Sequence, residues 1–103
     1  MNAFLRIEVS ELADRQISEA DAWWRENRIK APNAIREELE RISRLIAFQP
    51  GIGARAKNVR LPGVRRIDIE RIHYAVYYRV VGSPRYIEIV AFWGSRRGKR
   101  PPI

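Results

Sequence analysis

Arginine is the residue type best equipped for chemistry in this chain, and its placement is uneven. Of 20 basic residues all but Lys30, Lys57 and Lys99 are Arg. A guanidinium carries a rigid fork of donors that meets phosphate or carboxylate with paired hydrogen bonds, which an ammonium cannot match. Arg65, Arg66, Arg71, Arg79, Arg96, Arg97 and Arg100 run through the second half among Tyr74, Tyr77, Tyr78, Tyr86, Phe92 and Trp93. Arginines interleaved with aromatic rings can grip phosphates and stack bases. For most of these rings, packing beneath helices is the better expectation.

Other chemistries are poorly served. His73 is the single histidine and there is no cysteine, so no ordinary metal ligand set can form and no cofactor is expected. Ser10, Ser18, Ser43, Ser83 and Ser95 carry no nucleophile signature around them. Gly51-Ile52-Gly53 lacks the following glycine and the strand–turn–helix setting of a phosphate loop. His73 stands at a strand turn beside Tyr74, where a structural or surface role is expected first.

The charge distribution narrows the partners. Residues 1–50 carry 8 basic and 9 acidic side chains, whereas residues 51–103 carry 12 and 3, for a formal net charge of +8. The second half should therefore face something acidic: nucleic acid, a protein bound to it, or an acidic protein segment. With 103 residues the chain reads as one domain, spanning 1–103. The lack of cysteine suits a reducing cytoplasm. The start, Met1 to Arg6, has no basic region followed by an apolar run, so no signal peptide is expected. No apolar stretch approaches the roughly 20 residues a membrane helix needs.

The elements that position these residues can be read from periodicity. Leu5, Ile7 and Val9 alternate with Phe4, Arg6 and Glu8, predicting a short strand with one buried face. Ser10 is an N-cap, with Glu11 and Asp14 in the first turn. Leu12, Ala13, Ile17, Ala20 and Trp24 keep helical spacing to about Asn27. Trp23 and Trp24 are adjacent, so one belongs in the core and the other at an edge or a partner surface. Pro32 falls at or near the first turn of a second helix, whose stripe is Ile35, Leu39, Ile42, Leu45 and Ile46. Glu37, Glu38, Glu40, Arg41 and Arg44 mark its solvent face, and Pro50-Gly51-Ile52-Gly53 stops it. The two helices form a hairpin. After Gly53 everything reads as strand: around Arg66–Glu70 behind a Pro62-Gly63 turn, Tyr74–Val81, a Gly82–Arg85 turn, then Tyr86–Trp93. The expected class is α+β: a short N-terminal strand, a helical hairpin, then a three-stranded antiparallel meander with the helices on one face. The last strand should lie centrally beside a parallel partner, carrying Arg96 and Arg97 toward one edge of the sheet. The tail from Gly94 cannot be regular throughout.

Ala22-Trp23-Trp24-Arg25-Glu26-Asn27-Arg28 and the helix end Phe48-Gln49-Pro50-Gly51-Ile52-Gly53 resemble the helical hairpin of RelE/ParE-type toxins. Gly63-Val64-Arg65-Arg66-Ile67, His73 to Val80, and Ala91-Phe92-Trp93-Gly94-Ser95-Arg96-Arg97-Gly98 follow in the same order, so the resemblance covers nearly the whole chain. It implies a cytoplasmic toxin of a type II toxin–antitoxin system, growth-inhibiting when free and bound in a hetero-oligomer with a cognate antitoxin. The antitoxin is expected over Trp23 and Trp24. RelE-type members cleave messenger RNA in the ribosome, whereas ParE-type members poison DNA gyrase.

On the ribonuclease pattern Arg66 and Arg96 fill two family positions, with His73 as a possible third participant. The second strand position is Asp68, the Arg expected after Tyr74 is Ala75, and the tail has Pro101-Pro102 where a Tyr would act. Another family position, a His after the last-strand Trp, is Gly94. Groups that activate a 2′-hydroxyl, stabilise a phosphorane and protonate a leaving oxygen are thus incomplete. The resemblance therefore favours a gyrase poison whose target surface uses Arg65, Arg66, Tyr77, Arg79, Arg96, Arg97 and Arg100. A ribosome-dependent mRNA endoribonuclease, metal-independent, is the alternative.

Overall fold

In the computed structural model, which describes residues 4–103, Ser10 caps the first helix as its position demands. Its side-chain oxygen accepts the Ala13 N–H at 3.1 Å, which satisfies a donor that the first helical turn leaves orphaned. Met1 to Ala3, part of the segment read as carrying no leader, lie outside the described residues. The order is β1 (Ile7–Val9), α1 (Glu11–Asn27), α2 (Ala34–Phe48), β2 (Ala54–Arg55), β3 (Arg65–Ile69), β4 (Tyr74–Val81) and β5 (Tyr86–Gly94). Among the described residues no helix is long and apolar enough to cross a membrane.

The strands form one sheet in the order β1-β5-β4-β3-β2. The class is α+β as the periodicity implies, with the β3–β5 meander extended by a strand at each edge. The one parallel pair, β1 with β5, lies at an edge. The central strand is β4, so β5 is internal but not central, a correction to the expected order. The short β2 was not anticipated as a separate edge strand.

Both helices pack on one face, against Ile69, Val76, Tyr78, Ile87, Ile89 and Phe92. Ile87, Ile89 and Phe92 share that face although their numbers change parity. Tyr77 pairs with Ala91 but Tyr78 pairs with Ile89, so Val90 is an extra residue, a β-bulge. The helix-free face carries a second, smaller cluster of Val64, Ala75, Tyr77, Val90 and Ala91. The tail covers it. Ile103 packs there, its carbonyl accepts the Arg60 N–H at 2.7 Å, and Trp93 Nε1 donates to the Lys99 carbonyl at 2.9 Å.

Two local expectations need adjusting. Val9, read as buried, is exposed because it ends an edge strand. Pro32 stands near the first turn of α2 as read, one residue before its cap, Asn33. Glu38, read as solvent-facing, is buried, since Arg71 reaches across from the β3–β4 turn to hold it.

Candidate binding cleft

At the end of the sheet where β3 stops, β4 begins and β5 ends, three segments enclose a cleft of about 720 Å3. The end of α1 supplies Trp23, Trp24 and Arg28, the β3–β4 turn supplies Arg71, Ile72 and His73, and the chain leaving β5 supplies Arg96 and Arg97. No carboxylate lines it. A second hollow of about 370 Å3 shares Trp23, Tyr74 and Arg97 and continues along α1. There β1 no longer covers β5, and the Phe92 N–H is satisfied by Gln16 Oε1 at 2.8 Å.

The adjacent tryptophans part company as their spacing requires. Trp24 is buried, its Nε1 donating to the Ala31 carbonyl at 3.0 Å, which ties α1 to the interhelical turn. Trp23 is 47% exposed and forms one wall of the cleft. The Arg28 guanidinium lies over both rings, 4.9 Å from Trp23 and 5.6 Å from Trp24, a cation–π arrangement that holds the cation ready at the surface.

Arg71 is anchored by Glu37 at 3.1 Å and Glu38 at 2.9 Å. Hydrogen bonds from Arg41 and then Arg71 hold the Glu38 carboxyl below the usual carboxylate range, against the opposing effect of burial. Arg97 lies over the Trp93 ring at 4.1 Å. Arg96 is exposed and has no ion pair among the described residues. His73 has φ 57°, and its backbone N–H donates to the Ile69 carbonyl while its own carbonyl accepts the Ser95 N–H. Its backbone thus builds the turn, and the residue lines the cleft.

The residues expected to form one target surface are dispersed. Arg96 and Arg97 meet in the cleft. Arg65 donates to the Gly53 carbonyl at 2.7 Å near the β2 edge, and Arg100 reaches the Asn58 carbonyl at 3.4 Å on the tail side. Arg79 is engaged by Glu88 at 3.0 Å. Arg66 lies on the helix-free face, giving Nε and Nη2 to Asp68 at 3.0 and 2.8 Å and Nη1 to the Tyr77 hydroxyl at 2.9 Å. Tyr77 is 3% exposed and presents no ring to a partner; burial pushes its phenol above the usual range. Arg28, named in the sequence only at the end of the stretch that resembles the helical hairpin, joins the cleft because α1 ends there; its position just beyond a tryptophan pair was the available signal.

The arrangement can hold an anionic, partly apolar group: Trp23 offers a ring face, and Arg28, Arg96 and Arg97 offer charge. Among solved structures, the chain resembles one described as the chromosomal ParDE TA system from P. aeruginosa, with TM-score 0.70, 19% identity, and coverage of 90% of this chain and 98% of that one. At that identity the likeness concerns the fold. A search of curated proteins gave no significant match. Residues 7–98 match the family model for the ParE toxin of the type II toxin–antitoxin system parDE, and the chain belongs to that family.

Proposed function

We propose that this chain inhibits growth when free, is silenced by a tightly bound antitoxin in the cytoplasm, and acts by poisoning DNA gyrase rather than by cutting messenger RNA. The observation that carries the choice of target is the condition of Arg66. Its guanidinium is committed to Asp68 and Tyr77 on the helix-free face, while Arg96 stands in the cleft at the end of the sheet. Cleavage by general acid–base chemistry needs donors converging about 3 Å from one phosphate. Here a carboxylate stands beside the first arginine, and Ala75, opposite Asp68 in register, brings no donor. Pro101, in the tail where a tyrosine would serve, is buried. A cationic cleft with an exposed tryptophan is better suited to gripping a protein. The fold shared with a chain of a ParDE system supports an antitoxin as the resident partner.

The test is induction of the chain alone in bacteria, with labelled thymidine and methionine followed over the first minutes. DNA synthesis should fall first, and Arg96→Ala with Arg97→Ala should relieve the arrest while His73→Ala does not. If methionine incorporation falls first, the ribonuclease reading with Arg66, Arg96 and His73 replaces this one. Point substitutions are preferable to removing the tail, because Ile103 packs on the helix-free cluster and Pro101 is buried, so their loss would disturb that face.

A further inference from the structure

Two segments of the chain, 54–67 and 89–103, contain no Asp or Glu. The fold sews them together: the Arg60 N–H meets the Ile103 carbonyl at 2.7 Å, and Arg100 reaches the Asn58 carbonyl at 3.4 Å. Arg55 and Arg65 consequently flank one hollow and Arg60 and Arg100 another, both around the β2 edge and the docked tail, with Lys57 and Lys99 on the same two segments. None of these six has an ion pair among the described residues, whereas Arg6, Arg25, Arg36, Arg41, Arg44 and Arg79 each reach a carboxylate. Arg55 and Arg65 stand directly opposite each other across β2 and β3, a like-charge pairing that works against the sheet unless an anion joins it. They flank a hollow of about 270 Å3 floored by Ala56, Val59 and Val64. The surface is separate from the tryptophan cleft, since Arg65 begins β3 and the cleft lies beyond its other end, about 13 Å along the strand.

We propose that this second cationic surface binds the phosphodiester backbone of a nucleic-acid duplex without reading its bases. Phosphate contacts of this kind position a protein and carry no sequence information. An acidic protein partner is disfavoured by what the surface lacks. Protein interfaces use buried apolar anchors, and the exposed large apolar side chains, Phe4, Val9, Trp23, Ile29, Phe48 and Ile52, all lie outside both segments. A single strand is disfavoured for a related reason: no exposed ring is available for stacking, since Trp93 is covered by Arg97 and tied to Lys99. The inference does not rest on gyrase being the target, because duplex binding in solution is measured without reference to growth arrest.

The experiment is fluorescence anisotropy of the purified full chain with 20-base-pair DNA and RNA duplexes of mixed sequence across a salt series. Neutralising about five phosphates predicts a slope of log affinity against log salt near −4.5, roughly a 500-fold loss between 50 and 200 mM. Combining Arg55→Gln, Lys57→Gln and Arg60→Gln, all on exposed side chains, should weaken binding at least tenfold and flatten the slope by about 2.7. Circular dichroism confirms that the variant is folded, and Lys99→Gln with Arg100→Gln should weaken binding in the same direction. Arg28→Gln, in the other cleft, should leave duplex binding unchanged. Binding of either duplex supports the proposal, and the tighter of the two names its source. No binding to either at 50 mM salt, wild-type affinity in the triple variant, or equal affinity for polyglutamate of matched charge would each overturn it.

Discussion

Tyr78 shows how one side chain can fix the course of the chain. It is fully buried, its hydroxyl donates to the Pro50 carbonyl at 2.7 Å, and it accepts the Gly53 N–H at 2.9 Å. A β-carbon on Gly53 would stand 2.8 Å from that oxygen and 3.1 Å from the Arg66 carbonyl, so the glycine answers a close approach rather than a turn. Gly53→Ala should cost about 1–3 kcal/mol by overpacking. Tyr78→Phe should cost a similar amount, about 1–3 kcal/mol, by stranding a buried N–H. Urea denaturation measures both; an unchanged midpoint for either would contradict the account. Glu38 makes a prediction in pH. Its folded carboxyl titrates below the ordinary value of 4.5 because of Arg41 and Arg71. The stability it contributes is therefore complete above the ordinary value and is lost as pH falls through the depressed one. Wild type should lose stability on acidification below about pH 5 more steeply than Glu38→Gln, which should already be weaker at pH 7 by about 1–3 kcal/mol. Parallel acid profiles for the two proteins would remove Glu38 from the explanation.

At the scale of elements, what could be read from sequence is what depends on neighbours in the chain. The Ser10 cap, the α1 stripe ending at Asn27, the two meander hairpins and the split between Trp23 and Trp24 all follow from local spacing, and all are present. What could not be read depends on distant partners. Glu38 looks like one of several charges on a solvent stripe until Arg71, 33 residues away, arrives to bury it. The bulge at Val90 changes which side chains face the helices, and only the broken alternation of Ile87, Ile89 and Phe92 hints at it. The cleft was half legible: Arg96, Arg97, His73 and Trp23 were singled out individually, but that α1 ends over the β3–β4 turn is a fact of packing. The same turn yields a prediction. His73 occupies the left-handed region at φ 57°, where Asn and His are tolerated and β-branched residues are not. His73→Val should lose about 1–2 kcal/mol and loosen Arg71 with it, while His73→Asn should keep wild-type stability by thermal melting. Equal stability of the two variants would mean the turn carries no such constraint.

The whole molecule is a small sheet with two cationic regions: the tryptophan cleft at one end of the strands and the acid-free border of loop and tail at the β2 side. The first half of the chain, nearly balanced in charge, builds the helices, and its own arginines are largely neutralised by its own carboxylates. The surplus stands on the sheet and its exits, where partners can meet it. If the proposed antitoxin covers the cleft, tryptophan emission should report it through a single residue. Trp24 is buried with its N–H satisfied, and Trp93 is held by Arg97 and Lys99, so Trp23 is the ring whose surroundings can change. Mixing with antitoxin should blue-shift the emission, and Trp23→Phe should diminish that shift while Trp93→Phe preserves it. Trp23→Ala should weaken the complex by about 2 kcal/mol or more, the behaviour of an aromatic anchor at an interface centre, which is roughly 30-fold in affinity. If the shift survives Trp23→Phe and the affinity survives Trp23→Ala, the antitoxin must lie elsewhere, and the exposed ring would be left for the toxin's target.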